Sequence, residues 1–262
     1  MTISLSAWIE LRLRQPSNYN AFDLYDAIQH ANMSSDLEDC LVNLLKLSRI
    51  DPKLLDAILR KGIVAEDALI KTGLPSVPTA EGGDFGEVLT SAALVEFLGY
   101  SVPVPKLRFG INPNQGLPST DIIAIKGAGN SISEVCFVES KTRTARDNDA
   151  AAEGYNQLVR DYSEKLPQMV LFVLNRLAER KDPLFDAFLN YAFDRRNTVE
   201  AERFHLGLTW DVSVWSDTVL KNLDAIVDNA TYPKLSVHLL VVKDLRKLIL
   251  QLFAKMGITQ VI

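Results

Sequence analysis

Ser119-Thr120-Asp121-Ile122-Ile123-Ala124-Ile125, the turn Gly127-Ala128-Gly129-Asn130, and then Val135-Cys136-Phe137-Val138-Glu139-Ser140-Lys141 decide how this chain is read. Both apolar runs are short and rich in β-branched residues, which predicts strands over 120–125 and 134–140 joined as a hairpin. Antiparallel pairing sets the start of one strand beside the exit of its partner. Asp121 and Glu139 are therefore expected neighbours. Side chains two apart share a face, so Glu139 and Lys141 point one way and Val138 and Ser140 the other. Two carboxylates side by side are costly unless a cation joins them, and oxygen donors suit Mg²⁺ or Mn²⁺. A lysine next to such a pair can orient a water, which completes a minimal set for metal-assisted phosphodiester hydrolysis. An isolated Glu-x-Lys is common by chance and reads as an exposed ion pair. Asp121 is what changes its weight.

Upstream, Phe85-Gly86-Glu87-Val88-Leu89 opens a helix after Glu81-Gly82-Gly83-Asp84. Leu89, Ala93, Leu94, Phe97 and Leu98 lie on its inner face and Gly99 stops it. Glu87 fits two readings equally well. It is an ordinary acidic residue in a first helical turn, or a third carboxylate turned toward the hairpin. Tyr100 to Leu107, broken by Pro103 and Pro105, reads as an edge strand. Downstream, Ala150 to Glu164 reads as a helix carrying Gln157 and Tyr162. A helical glutamine is most often solvated or capping, but Gln157 could also reach back to a catalytic water or a phosphate. Among Lys106, Arg108, Arg143 and Arg146, which flank the site, Arg143 and Arg146 are the better candidates for phosphate contact.

Farther out, Met169-Val170-Leu171-Phe172-Val173-Leu174 reads as a buried strand after Pro167. A helix over 184–193, a strand over 204–210, a helix over 217–227, a strand over 235–242 and a helix over 245–256 follow. Residues 1 to about 75 read as helical from Leu5, Trp8, Ile9 and Leu13, then Leu24 and Ile28, then Leu37, Leu41, Leu44 and Leu45. Starts are expected at Ser34-Ser35-Asp36 and at Asp51-Pro52, with a short helix over Glu66 to Ile70. The expectation is an α/β protein: a mixed central sheet flanked by helices over 79–262, preceded by an N-terminal helical region over 1–78.

Apolar residues make up 47% of the chain, enough for a substantial core, and the remaining composition is that of a globular protein. No apolar stretch approaches the length of a membrane span, and the first ten residues lack the pattern of a secretory signal. A soluble cytoplasmic protein is expected. Cys40 and Cys136 read as small buried hydrophobes, and His30, His205 and His238 show no zinc-ligand spacing. The net charge of −5 argues against a broad basic face gripping nucleic acid unaided. A small positive cleft, with a partner supplying most of the affinity, is compatible with it.

Gly86-Glu87 on a helix, Asp121 on a strand, Glu139-Ser140-Lys141 on the next strand and a Gln157-bearing helix resemble the PD-(D/E)XK nuclease superfamily over roughly residues 82–175. The resemblance implies a restriction-endonuclease-like core and Mg²⁺- or Mn²⁺-dependent hydrolysis of DNA. Glu87, Asp121, Glu139 and the Ser140 carbonyl would bind metal, and Lys141 would attend the attacking water. Gln157 and Tyr162 are similar to a Gln-and-Tyr helix of RecB-like members, with a different spacing. The chain departs from the pattern where Ser119 and Thr120 separate Pro118 from Asp121. The Gly-Glu-Val-Leu helix, the Thr-Asp-Ile start and the Glu-Ser-Lys ending also resemble the nuclease subunit of Hachiman-type anti-phage defence, whose members pair with a helicase. The alternative is a non-catalytic binding module on a nuclease-like scaffold. A sequence-specific restriction enzyme ranks lower, because no recognition motif is evident.

Overall fold

The computed structural model describes residues 4–15, 18–29, 33–62, 73–110, 112–115, 119–128, 131–194 and 201–256. Six strands form one mixed sheet: β1 (Ile9–Leu13), β2 (Phe22–Gln29), β3 (Ile122–Ala128), β4 (Ser131–Arg143), β5 (Glu202–Asp211) and β6 (Lys234–Val242). Their spatial order is β1-β2-β6-β5-β4-β3. The inner pairs β2–β6, β6–β5 and β5–β4 are parallel, while the edge pairs β1–β2 and β4–β3 are antiparallel. Parallel strands need crossovers that cover the sheet. Here α4 (Ala150–Arg180) and α5 (Phe185–Asp194) link β4 to β5, and α6 (Thr218–Asp224) links β5 to β6. The other α-helices among the described residues are α1 (Ser35–Arg49), α2 (Pro52–Leu59), α3 (Pro78–Leu98) and α7 (Leu245–Lys255). The mixed α/β expectation holds.

Alternation along the strands sorts the core into two faces. Phe137, Phe204, Leu206, Leu208 and Trp210 pack under Tyr155, Leu158, Val173 and Leu177 of α4. On the opposite face Leu240 and Val242 meet Leu41, Leu45, Phe85, Leu89 and Leu252 of α1, α3 and α7. Next to them Cys136 and Val138 pack with Leu94, Ile122 and Ala124. Val135 to Val138 is buried throughout, as a central strand requires.

Several local expectations are corrected. Ile9–Leu13 and Phe22–Gln29 are strands rather than helices, while α1 and α2 start where expected, capped by Ser34 and Asp51. Ile9-Glu10-Leu11-Arg12-Leu13 and Phe22-Asp23-Leu24 carry a period of two that the wider leucine spacing obscured. Met169 to Leu174 is not a strand. It lies inside the 31-residue α4, which runs on past Pro167. Met169, Val170, Val173 and Leu177 are buried at helical spacing, whereas Leu171 is 57% exposed, so the apolar run wraps two faces of a helix. Tyr100 to Leu107 contributes only a single bridge, Ser101 to Ile125, because Pro103 and Pro105 cannot extend a ladder. The helix carrying Glu87 begins earlier than expected, at Pro78, and takes in Gly82 and Gly83. The expected helix over Glu66–Ile70 and the Gly129-Asn130 part of the hairpin turn lie outside the described residues.

Glycines set how closely α3 and α4 approach the sheet. A Cβ on Gly207 of β5 would fall 2.0 Å from Thr90 Oγ1 of α3, and one on Gly86 would fall 2.0 Å from Thr142 Oγ1 of β4. Gly207→Ala is therefore expected to destabilise the protein by about 1–3 kcal/mol through overpacking. Thr90→Ala removes two of the three clashing atoms and should recover part of that loss. Urea unfolding of the two single variants and the double variant measures the coupling.

Candidate active site

The antiparallel register pairs Ile122 with Val138, which brings Asp121, one residue earlier, level with Glu139. The Ser140 backbone N–H donates to Asp121 Oδ2 at 2.9 Å, fixing that carboxylate across the strand pair. On the next strand the Lys141 ammonium donates to Glu139 Oε1 at 2.7 Å. Glu139 is 6% exposed, and its second oxygen, Oε2, is buried without a hydrogen-bond partner. Burial, then repulsion from Asp121, pushes the Glu139 carboxyl up to about 7 despite Lys141. Burial likewise raises Asp121, against the pull of the Ser140 N–H, Lys106 and Lys141.

Glu87 reaches this region from the first half of α3. Its carboxyl lies well above the ordinary glutamate range, first through burial and then through the negative charge of Asp121. Glu87, Asp121 and Lys106 line a cavity of about 30 Å³ together with Arg49, Leu107, Gly110 and Gln115. That volume accommodates one water or one small ion. Asp121 is thus the shared member: it faces Glu87 in the cavity and Glu139 across the hairpin. Among the described residues, no three acidic, histidine or cysteine side chains stand together as a ready metal-binding group.

Lys106 is a residue whose weight the sequence concealed. It sits in a single 3-10 turn, Lys106–Phe109, and is 9% exposed. Its ammonium donates to the carbonyls of Ser119 (3.0 Å) and Thr120. Burial lowers its pKa even though Asp121, Glu87 and Glu139 all oppose that shift. Ser119 holds a left-handed φ of +91° immediately before this clamp, so the approach to Asp121 is a strained turn. Pro118 lies outside the described residues. Behind the cavity, Arg49 forms a buried bidentate pair with Asp84 at 2.7 and 2.6 Å and donates to the Pro113 carbonyl at 2.9 Å. α1, α3 and the loop before Asp121 are tied together by this one guanidinium.

Other candidates are placed differently. The Gln157 amide donates to Asp161 on its own helix and accepts from Arg160, so it is engaged along α4. Asp161 is fully buried, is also paired with Lys165 at 2.6 Å, and adds negative field at Asp121 and Lys106. Tyr162 donates to the buried Glu202 of β5, as does Tyr191. Ser140 acts on Asp121 through its N–H, and its carbonyl belongs to β4 beside Gly207 of β5. Arg143 pairs with Asp147 at 2.7 Å, Arg146 is exposed, and Arg108 is committed to the Leu47 carbonyl and Asp51. His205 and His238 form a buried pair at 2.7 Å with Ser236 and are held neutral by burial, as core histidines. His30 lies outside the described residues. Cys136 is buried and Cys40 partly so, and neither is in a disulfide.

A family model for HamA matches residues 2–256. The chain belongs to the HamA family. This agrees with the Hachiman resemblance carried by Gly86-Glu87, Asp121 and Glu139-Ser140-Lys141, and makes the chain a protein of an anti-phage defence system, a setting that implies protein partners. No curated protein matches the chain. Among the described residues no helix is long and apolar enough to cross a membrane.

The Glu139 shift fixes a pH dependence. The folded carboxyl titrates near 7 against 4.5 for an ordinary glutamate, so between those values the folded state keeps a proton that the unfolded chain releases. The stability contributed by Glu139 is then complete below 4.5 and lost as pH rises through 7. Relative to Glu139→Gln, the metal-free parent should lose roughly 3 kcal/mol between pH 4.5 and 7.5. Urea unfolding in EDTA at stepped pH measures the difference.

Proposed function

We propose that this chain is the nuclease of its defence system, a PD-(D/E)XK-type enzyme that hydrolyses DNA phosphodiester bonds with Mg²⁺ or Mn²⁺. The observation that carries this is Glu139. A carboxylate that is 6% exposed, repelled by Asp121 and left with one buried oxygen unbonded is a site short of positive charge. Oxygen donors of this type match a hard divalent cation. Asp121 and Glu139 would hold it, with Glu87 and the Ser140 carbonyl as further donors.

When bound, the metal would supply Lewis-acid stabilisation of charge building on the phosphate oxygens. The protein's own groups do the rest. The Ser140 N–H holds Asp121 in one orientation. Glu139 keeps Lys141 at the mouth of the site, where the ammonium, 19% exposed, can donate to an attacking water. Lys106 shapes the turn leading into Asp121 and offsets part of the carboxylate charge from behind. Gln157, bonded to Asp161, would support the site through that carboxylate. A partner, of helicase type on the Hachiman resemblance, would bring the substrate, which suits a chain of net charge −5.

A second reading, a binding module without turnover, draws on the lack of a preassembled three-carboxylate group among the described residues. Incubation with plasmid DNA and Mg²⁺, with the partner from the same system present, separates the two. Asp121→Asn, Glu139→Ala and Lys141→Ala are each expected to slow cleavage by at least about 100-fold, and EDTA to abolish it. Equal cutting by the variants and the parent rejects the assignment.

A further inference from the structure

Gly82 and Gly83 lie inside α3, where glycine is the poorest helix former after proline. Where glycines face the sheet between β4, β5 and the helices, a neighbour demands them. A Cβ on Gly86 meets Thr142, one on Gly207 meets Thr90, and one on Gly154 of α4 comes within 3.2 Å of Leu206 and Lys141. Gly82 and Gly83 differ: a Cβ on either would meet nothing within 4 Å, and neither has a left-handed φ. Internal packing and backbone conformation both leave this pair unexplained. Without side chains here, the helix surface leaves room for a close approach from outside.

The two glycines floor a groove of about 390 Å³ between the start of α3, the exit of β4 and α7. Arg143 of β4 and Arg246 of α7 bring cations to it, and Lys141 borders it with its ammonium turned to Glu139 on the α4 side. Arg246 is exposed and has no ion-pair partner among the described residues, and Arg143 shares its charge with Asp147 at the rim. Glu81 is the single carboxylate in the lining, and it is fully buried. Hydroxyls of Thr79, Ser140 and Thr144 add hydrogen-bonding capacity, and no aromatic side chain lines the groove. Cations and hydroxyls without aromatics suit phosphates and sugars rather than stacked bases. Ser140 and Lys141 belong both to this groove and to the candidate active site, so the two are continuous.

We infer that this groove seats the sugar-phosphate backbone of a nucleic-acid strand, with Gly82 and Gly83 allowing the strand to lie against α3 and with Arg143 and Arg246 clamping phosphates beside the scissile position. The proposal deepens the nuclease reading and rests on it for the position of the cut. It assigns a sequence-independent contact, since the groove offers nothing that reads base edges.

The test uses the full chain in EDTA with a fluorescein-labelled 30-nucleotide single strand and the matching duplex, read by anisotropy across a potassium chloride series. Gly82→Ala and Gly83→Ala should each raise the thermal midpoint by about 2–4 °C, because helix propensity improves. Together they should weaken binding at least ten-fold on steric grounds. A stabilised protein that binds worse is not the signature of structural damage. Arg246→Gln and Arg143→Gln should each reduce the slope of log affinity against log salt by about one. Unchanged affinity in the glycine variants, unchanged slopes in the arginine variants, absence of salt-sensitive binding by the parent, or displacement of the oligonucleotide by polyglutamate as readily as by unlabelled DNA would each overturn the inference. The last outcome would point to an acidic protein as the occupant. A parent that binds through the groove yet never cuts with Mg²⁺ sinks the nuclease reading alone. A parent that cuts, with glycine variants that cut equally well, sinks the groove alone.

Discussion

The register of β3 against β4 is the constraint from which the rest follows. Pairing Ile122 with Val138 leaves no choice about Asp121, which must come level with Glu139. A slip of one residue would turn Asp121 to the other face of the sheet and bury Ile122 and Ile123 wrongly. The register is held by core on both sides, since Ile123 and Phe137 face α4 while Ile122 and Val138 face α3. It is also held by contact distance. Gly86 lets α3 ride against Ser140 and Thr142, and Gly154 lets α4 ride against Lys141. The exit of β4 is gripped from both faces at the point where its polar residues begin.

A strand exit built in this way is electrostatically expensive. Asp121, Glu139 and Glu87 all hold their protons more tightly than free carboxyls, mainly because they are enclosed. Two lysines and one arginine answer that charge from fixed positions: Lys141 on Glu139, Lys106 behind Asp121, and Arg49 on Asp84. These cations do not satisfy every oxygen, as the buried Oε2 of Glu139 makes plain. A core selected for stability alone would replace such a cluster with apolar side chains. Such a cluster beside a strained turn at Ser119 is the kind of site that the proposed metal-dependent chemistry would use.

Much of this was legible in the sequence, and the failures have physical causes. The hairpin, the neighbouring Asp121 and Glu139, and the helices and strands after residue 184 follow from period and β-branching. Two departures concern period and one concerns pairing. Ile9 to Leu13 alternates over only five residues, too few to outweigh leucines at helical spacing nearby. Phe22 to Gln29 becomes a strand because β6 offers it a parallel partner far along the chain, which no local pattern contains. Met169 to Leu174 looked continuous because α4 has apolar residues on its exposed side as well, with Leu171 open to solvent. Lys106 was hidden for a different reason. A lysine just after a proline in an irregular stretch reads as surface, and only the fold of the following loop carries the Ser119 and Thr120 carbonyls to its ammonium. Asp161 was likewise invisible, since a buried carboxylate on a long helix is recognised only by its partners Gln157 and Lys165.

One helix, α3, carries both kinds of information. Its glycine at 86 is answered by Thr142 inside the protein, and its glycines at 82 and 83 are answered by nothing inside it. The same element delivers Glu87 toward Asp121 one turn beyond Gly83. Alanine at 86 would strike Thr142, whereas alanine at 82 or 83 would favour the helix and cover the surface that the proposed groove uses. Apolar contacts farther along compensate: Phe85, Leu89 and Leu94 are buried almost completely. The weak glycine-rich opening of α3 is thus carried by the apolar residues that follow it. The stability of the fold and the access that the proposed chemistry requires are divided along the length of a single element.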